Sequence, residues 1–268
     1  MDEKRIIAET FVAAVAHFAE LGSTNDWAKD YALTADGELP LLVVTDRQTA
    51  GRGRGANRWW SGEGSLTFSL VLPAEYLPEP RSAATLVSLA TAVAVVESLV
   101  PLATPHQVGI HWPNDIFAAG RKLGGILIET VANRRHVLGI GLNINNRLDG
   151  TPPEIRQSAT ALAELTAQTH DPAAILIAIL RSLDGQLAEL RAAPEQVAAQ
   201  ADRLCLQHGQ FLTLRIASRE ITGRCLGIAP DGCLMLQTAE GPQHFASGVL
   251  RSNHVLPNAN GVGTRRVP

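Results

Sequence analysis

The spacing of apolar positions divides this chain into a mixed run of helices and strands followed by a run of strands alone. Residues 1–21, containing IIAETFVAAVAHFAEL, read as a helix stopped by Gly22. Ser23 and Thr24 then offer N-cap oxygens to a second helix reaching about Leu33. LPLLVVTD at 39–46 and SLTFSLVL at 65–72 are β-rich runs that predict strands, the first of them buried. A long helix is expected from Ser82 to Leu99. Short strands follow near 108–112, 115–119, 123–131 and 136–145, separated by PND, AGRK and ANRR turns. Thr160–Leu165, Pro172–Ala192 and Pro194–Leu204 read as helices. From about 207 the segments QFLTLRI, ITGRCLGIA, CLMLQT and PQHFAS have the rhythm of a small barrel of roughly 50 residues. The closing PNANGVGTRRVP lacks apolar periodicity and reads as a loose tail.

Composition adds limits to this outline. The 268 residues suffice for one large domain and a small satellite, with 46% hydrophobic and 18% charged residues, enough apolar content for a real core. The net charge of −3 provides no global basic field for nucleic acid or an anionic membrane. Only Lys4, Lys29 and Lys122 are lysines among 23 basic residues, so a lysine within a motif hints at a need for a compact amine. Cys205, Cys225 and Cys233 form no CxxC pair and suit a reducing cytosol. No signal-peptide pattern opens the chain. The apolar stretch 83–100 is broken by Thr85, Ser88, Thr91, Glu97 and Ser98 and predicts a buried helix, not a membrane span.

Three segments carry candidate chemistry. In TAGRGRGANRWWSGEGSLTFS (49–69), Gly51, Gly53 and Gly55 alternate with Arg52 and Arg54. Backbone N–H groups here can approach an anion while guanidinium groups pair with carboxylate or phosphate. Trp59 and Trp60 could stack on a flat ring, or simply anchor a solvated turn. In HWPNDIFAAGRKLGGILIET (111–130), Asn114 and Asp115 sit in a turn and Asp115 offers a Mg²⁺ ligand; Lys122 opens a strand whose Gly124 and Gly125 admit a close neighbour. A solvated hairpin is the plainer alternative. LGIGLNIN (138–145) is a buried strand with Asn143 at its end.

Taken in order, STN (23–25), QTAGRGR (48–54), WWSGEGSLTFS (59–69), WPND (112–115), KLGGIL (122–127), GIGLN (139–143) and SATAL (158–162) resemble the biotin–protein ligase family over residues 22–250. The resemblance implies an α/β (α+β) fold: a mixed-sheet catalytic domain of the biotin/lipoate ligase type over 1–205, an SH3-like barrel over 206–256 and a flexible tail over 257–268. It implies ATP-dependent formation of biotinyl-5'-AMP and transfer of biotin to a lysine of a biotin carboxyl carrier protein. Ser23, Thr24, Asn25, Gln48, Gly51, Arg52, Gly53, Arg54, Lys122 and Gly125 would hold biotin. Arg54, Trp59, Asn114, Asp115, Lys122 and Asn143 would hold ATP, with Lys122, Arg54 and Asp115 catalytic and Asp115 on Mg²⁺. No tightly bound cofactor is expected.

His111 stands where the family commonly has Lys, and Asn57-Arg58 where it has a basic pair. His111 either faces phosphate or is a neutral side chain at the sheet surface. Only about 22 residues precede STN, too few for the winged helix that some relatives carry, so no DNA partner is expected. Nor is a membrane partner; the location expected is the cytoplasm, with a homodimer possible. The rival readings are a lipoate ligase or octanoyl transferase of the same fold, and a non-enzymatic nucleic-acid binder using the Gly-Arg loop with its tryptophans.

Overall fold

The computed structural model describes residues 2–34, 37–77, 84–132 and 134–251. The tail expected over 257–268 lies outside them. Seven strands form a mixed sheet: β1 (Ala14–Leu21), β2 (Leu41–Gln48), β3 (Leu66–Leu72), β4 (Val108–His111), β5 (Asp115–Ala118), β6 (Arg121–Thr130) and β7 (His136–Leu142), in the order β1-β2-β3-β7-β6-β5-β4. Only β1 and β2 run parallel. The helices are α1 (Glu3–Glu9), α2 (Thr24–Thr34), α3 (Ala84–Ala103), α4 (Pro153–Ser158), α5 (Leu162–Thr166), α6 (Pro172–Ala192) and α7 (Pro194–Arg203). A second, antiparallel sheet holds β8 (Phe211–Ile216), β9 (Arg219–Ile228), β10 (Leu234–Thr238), β11 (Gly241–Phe245) and β12 (Val249–Arg251), ordered β11-β10-β9-β8-β12, an SH3-like arrangement.

The two faces of the first sheet follow from the period of two along its strands. Leu42 and Val44, Leu66, Phe68, Leu70 and Leu72, and Leu138, Ile140 and Leu142 enter one core with α3 and α6. Leu41, Val43, Val71 and Val137 enter a smaller one with Ala28 and Ala32 of α2. α3 is apolar and long enough to cross a membrane by length and composition, yet most of it is buried in the larger core.

One expectation is overturned at the start of the chain, where residues 1–21 are not one helix. α1 closes at Thr10, whose hydroxyl donates to the Ile6 carbonyl (2.8 Å), and the chain continues into β1. The alanines of 13–19 favour a helix intrinsically, but parallel pairing with β2 wins, placing Ala14, Ala16 and Phe18 against the smaller core and Val15 against the larger. α4 and β12 were not anticipated.

The chain between the two sheets is tightly bound to the first. Ile110 N–H donates to the Leu204 carbonyl (2.8 Å) and Leu206 N–H to the Ile110 carbonyl (3.0 Å), so 204–206 runs parallel beside β4. The fully buried Trp112 donates its backbone N–H to Gln207 Oε1 (3.2 Å) and its indole N–H to the Gly232 carbonyl (3.0 Å).

Candidate active site

The face of the sheet under α2 carries the chemistry. Strand register aligns Thr67, Gly141, Gly125, Asp115 and His111 in one row, and Ser69, Gly139 and Leu127 in the next. The three glycines form a trough. A methyl group on Gly139 would meet Asn25 Oδ1, one on Gly141 the indole of Trp59, and one on Gly125 the Asp115 carboxylate at 3.3 Å and Lys122 Nζ at 3.5 Å. The alternation in LGIGLN therefore gives one face to the core and the other to the floor of a cleft.

At one end of the cleft lies a buried, uncharged cluster. Ser23 stands just before α2, its hydroxyl oxygen accepting from Asp26 N–H (3.3 Å). Gln48 Oε1 accepts from the backbone N–H (2.7 Å) and hydroxyl (3.1 Å) of Thr24. This turns the Gln48 amide so that its NH₂ remains for another acceptor. Ser69 Oγ lies 2.8 Å from Thr24 Oγ1 and donates to Asn25 Oδ1 (2.6 Å).

The Gly-Arg segment is a small hairpin above this cluster. Gly53 N–H donates to the Asn57 carbonyl (2.8 Å), Trp59 N–H to the Gly51 carbonyl (3.0 Å), and Gly55 takes the left-handed turn at φ +66°. Arg52 pairs with Asp26 (2.6 Å) and Glu129 (3.2 Å). Arg54 donates to the Gly248 carbonyl, joining the hairpin to the second sheet. Trp59 Nε1 is buried without a partner, an N–H that a ligand acceptor would satisfy. Trp60 points to solvent, 46% exposed, and does not line the cleft; its stacking role is withdrawn.

Lys122 and Asp115 form the other end, Nζ to Oδ1 at 2.6 Å. Among the described residues, Arg52, Arg54, Arg58 and Lys122 line the cleft against a single carboxylate, Asp115, so a protein of net charge −3 presents a cationic cleft. His111 stacks on Phe117, ring centroids 4.4 Å apart. Burial, reinforced by the Lys122 charge, lowers its pKa from the ordinary 6.5, with Asp115 opposing. Its imidazole should therefore titrate below about pH 6.5. Below about 6.5 the unfolded chain takes up the proton first. The stability His111 contributes is thus complete above that pH and lost as pH falls. NMR of the imidazole checks this; titration at 6.5 or above would disprove it.

The residues that the resemblance assigns to biotin and ATP all line this one cleft except Gly51 and Asn143. Gly51 packs under Trp59, with no room for a Cβ beside the Trp59 carbonyl and the Gln48 amide. Asn143 is buried, accepting from Asn146 Nδ2 (3.0 Å) and, at its backbone carbonyl, from Leu162 N–H (2.9 Å); it ties β7 to α5. Ser69 and Thr67 were missed. Two hydroxyls two apart in the apolar strand LTFSLVL were the available signal. Among the described residues no group of three or more His, Cys, Asp or Glu side chains is placed to hold a metal.

Comparison with known proteins places these features in context. Residues 18–145 match the profile described as the Biotin/lipoate A/B protein ligase family, and 208–249 that of the Biotin protein ligase C terminal domain. A biotin–[acetyl-CoA-carboxylase] ligase of Mycobacterium tuberculosis is 33% identical over 222 residues, 81% of either chain. The bifunctional ligase/repressor BirA of Bacillus spizizenii is 34% identical over 75% of this chain, which spans only 62% of that relative's length. Among solved structures, the biotin protein ligase from Aquifex aeolicus in complex with biotin and ATP superposes with a TM-score of 0.79 at 27% identity, over 89% of this chain and 99% of that one.

Proposed function

The chain belongs to the biotin protein ligase family, and we propose that it forms biotinyl-5'-AMP from biotin and ATP, then transfers biotin to a lysine of a biotin carboxyl carrier protein. The observation that carries this reading is the layout of the cleft: neutral hydrogen-bonding groups at one end, the Lys122 ammonium at the other, and the arginines of the hairpin above. Biotin is itself divided in this way. Its ureido ring has donors and acceptors without charge, suiting Ser23, Thr24 and the free NH₂ of Gln48, while its carboxylate extends toward Lys122.

In the first step a biotin carboxylate oxygen attacks the α-phosphorus of ATP and the bond to pyrophosphate breaks. Two anions must meet, and Lys122 with Arg54 lowers that barrier electrostatically. In the second step the acceptor amine, having lost a proton, attacks the acyl carbon and AMP leaves. Trp59 offers its ring to adenine and Asn114 lies beside Asp115. Magnesium commonly takes one or two carboxylates with phosphate and water oxygens, so Asp115 alone fits as its protein ligand. The ion would neutralise phosphate charge. We place the catalytic part at 1–205 and the barrel from 206, supported by the end of α7 at Arg203 and the start of β8 at Phe211. A cytoplasmic location fits three free cysteines, two of them buried.

ATP–pyrophosphate exchange, run with biotin, with lipoate and with neither, tests the assignment. Exchange on biotin alone is expected. Exchange on lipoate alone would move the chain to the lipoate branch of the fold, and exchange on neither would overturn the activity.

A further inference from the structure

We propose that Glu129 is a positioning residue of this site, its one carboxylate joining the neutral head cluster to the Gly-Arg hairpin. The proposal rests on the ligase reading for the identity of the ligand and on the geometry for the rest.

Glu129 stands near the end of β6 and does not line the cleft. Its Oε2 accepts from Asn25 Nδ2 (3.0 Å) and Arg52 Nη1 (3.2 Å), its Oε1 from Lys29 Nζ (3.0 Å) and Arg52 Nη2 (3.2 Å). Arg52 thus grips both oxygens, the two-point geometry that fixes a guanidinium in orientation as well as position. Burial raises the Glu129 carboxyl pKa, but the bonds from Asn25 and Lys29 and the charges of Lys29 and Arg52 outweigh it, and the net shift is downward. The group is a carboxylate at neutral pH.

Asn25 is the link to the head cluster. Its Nδ2 is given to Glu129, with the Leu127 carbonyl at 3.4 Å, and its Oδ1 receives the Ser69 hydroxyl. Both ends of the Asn25 amide are thus engaged within the protein. Its part is to hold Ser69, which abuts Thr24, which orients Gln48. A connected path therefore runs from Gln48 to Arg52, and Glu129 is its junction. The Asp26 carboxylate also pairs with Arg52 but makes no bond to Asn25; Asp26 meets the head cluster only through its backbone N–H to Ser23 Oγ, a bond that Asp26→Asn leaves in place.

This difference supplies the test. Hydrogen exchange of the unliganded full chain is compared for wild type, Glu129→Gln and Asp26→Asn. Glu129→Gln should speed exchange about tenfold, the equivalent of one lost charge-assisted bond, both at the Gly53 and Trp59 amides and at the Thr24 amide. Asp26→Asn should affect the hairpin amides alone. In pyrophosphate exchange the KM for biotin should rise about tenfold in Glu129→Gln while kcat changes less, a split that general loss of stability would not give. If Glu129→Gln does not fold, Arg52→Lys poses the same question from the other side, because one ammonium cannot grip two oxygens and Thr24 should again exchange faster. An unchanged Thr24 amide beside a loosened hairpin would overturn the proposal and leave the ligase reading standing. Absence of biotin-dependent exchange in the wild type would overturn that reading and leave the Thr24 result to be judged by itself.

Discussion

Lys122→Ala should lose about 100-fold or more in biotin-dependent pyrophosphate exchange while melting close to the wild-type temperature. The two halves of this expectation have separate origins. The backbone of Lys122 is held without its side chain: its carbonyl accepts Thr160 N–H (2.9 Å), and the strand around it pairs with β5 and β7. The side chain is one-third exposed and leaves Asp115 able to reach water once it is gone. Little packing is lost. What disappears is the compact ammonium above Gly125, beside the one carboxylate of the cleft. Lys122→Arg is an informative companion, since a planar fork cannot occupy that space as an ammonium does. Exchange at the wild-type rate in Lys122→Ala would remove this residue from the chemistry.

Gly139→Ala should abolish measurable biotin binding, by 100-fold or more, for a steric reason. An added Cβ would fall on Asn25 Oδ1, with Asn25 Cγ only 2.7 Å away. Asn25 cannot swing aside cheaply, because Ser69 holds one end of its amide and Glu129 the other. Overpacking of this kind typically costs about 1–3 kcal/mol of stability, and here the cost falls on the groups that shape the head of the cleft. The variant should therefore fold, melt lower and fail in calorimetric titration with biotin. Gly185→Ala is the control: it lies within α6 with nothing near its added methyl, and should stabilise by about 0.5–1 kcal/mol. Normal biotin affinity in Gly139→Ala would mean that Asn25 is not where the ligand depends on it.

Much of this architecture can be read from sequence because it rests on local rules. Pro172 to Ala192 is a helix on its own terms, with Asp171 capping it and Pro172 in its first turn. The strands LPLLVVTD and SLTFSLVL declare themselves by β-branched and apolar runs. The segment 10–21 does not, because its strand identity comes from β2, which lies some 27 residues along the chain. The site divides in the same way. Residues in dense motifs, such as Arg52, Arg54, Lys122 and Asp115, are legible because charge and glycine stand out. Glu129 is only another acid at the end of an apolar strand until the fold sets Asn25, Lys29 and Arg52 around it. Asn143 is the opposite case: it closes a glycine-rich motif, yet in the fold its side chain accepts from Asn146 and its backbone carbonyl joins β7 to α5.

The seam along β4 bears on how such proteins can be recombined. Leu204 to Leu206 acts as an eighth ribbon at the sheet's rim, Gly109 is small because the Leu204 carbonyl and the Leu206 side chain crowd it, and Trp112 is fastened to Gln207 and Gly232. A chimera that takes residues after 206 from a relative would thus import a foreign surface against Trp112 while keeping the native rim against Gly109. Two crossovers are needed, so that the stretch around 108–113 travels with its barrel. A single splice would leave the WPND turn, and Asp115 at its end, resting on a partner it was not shaped to meet.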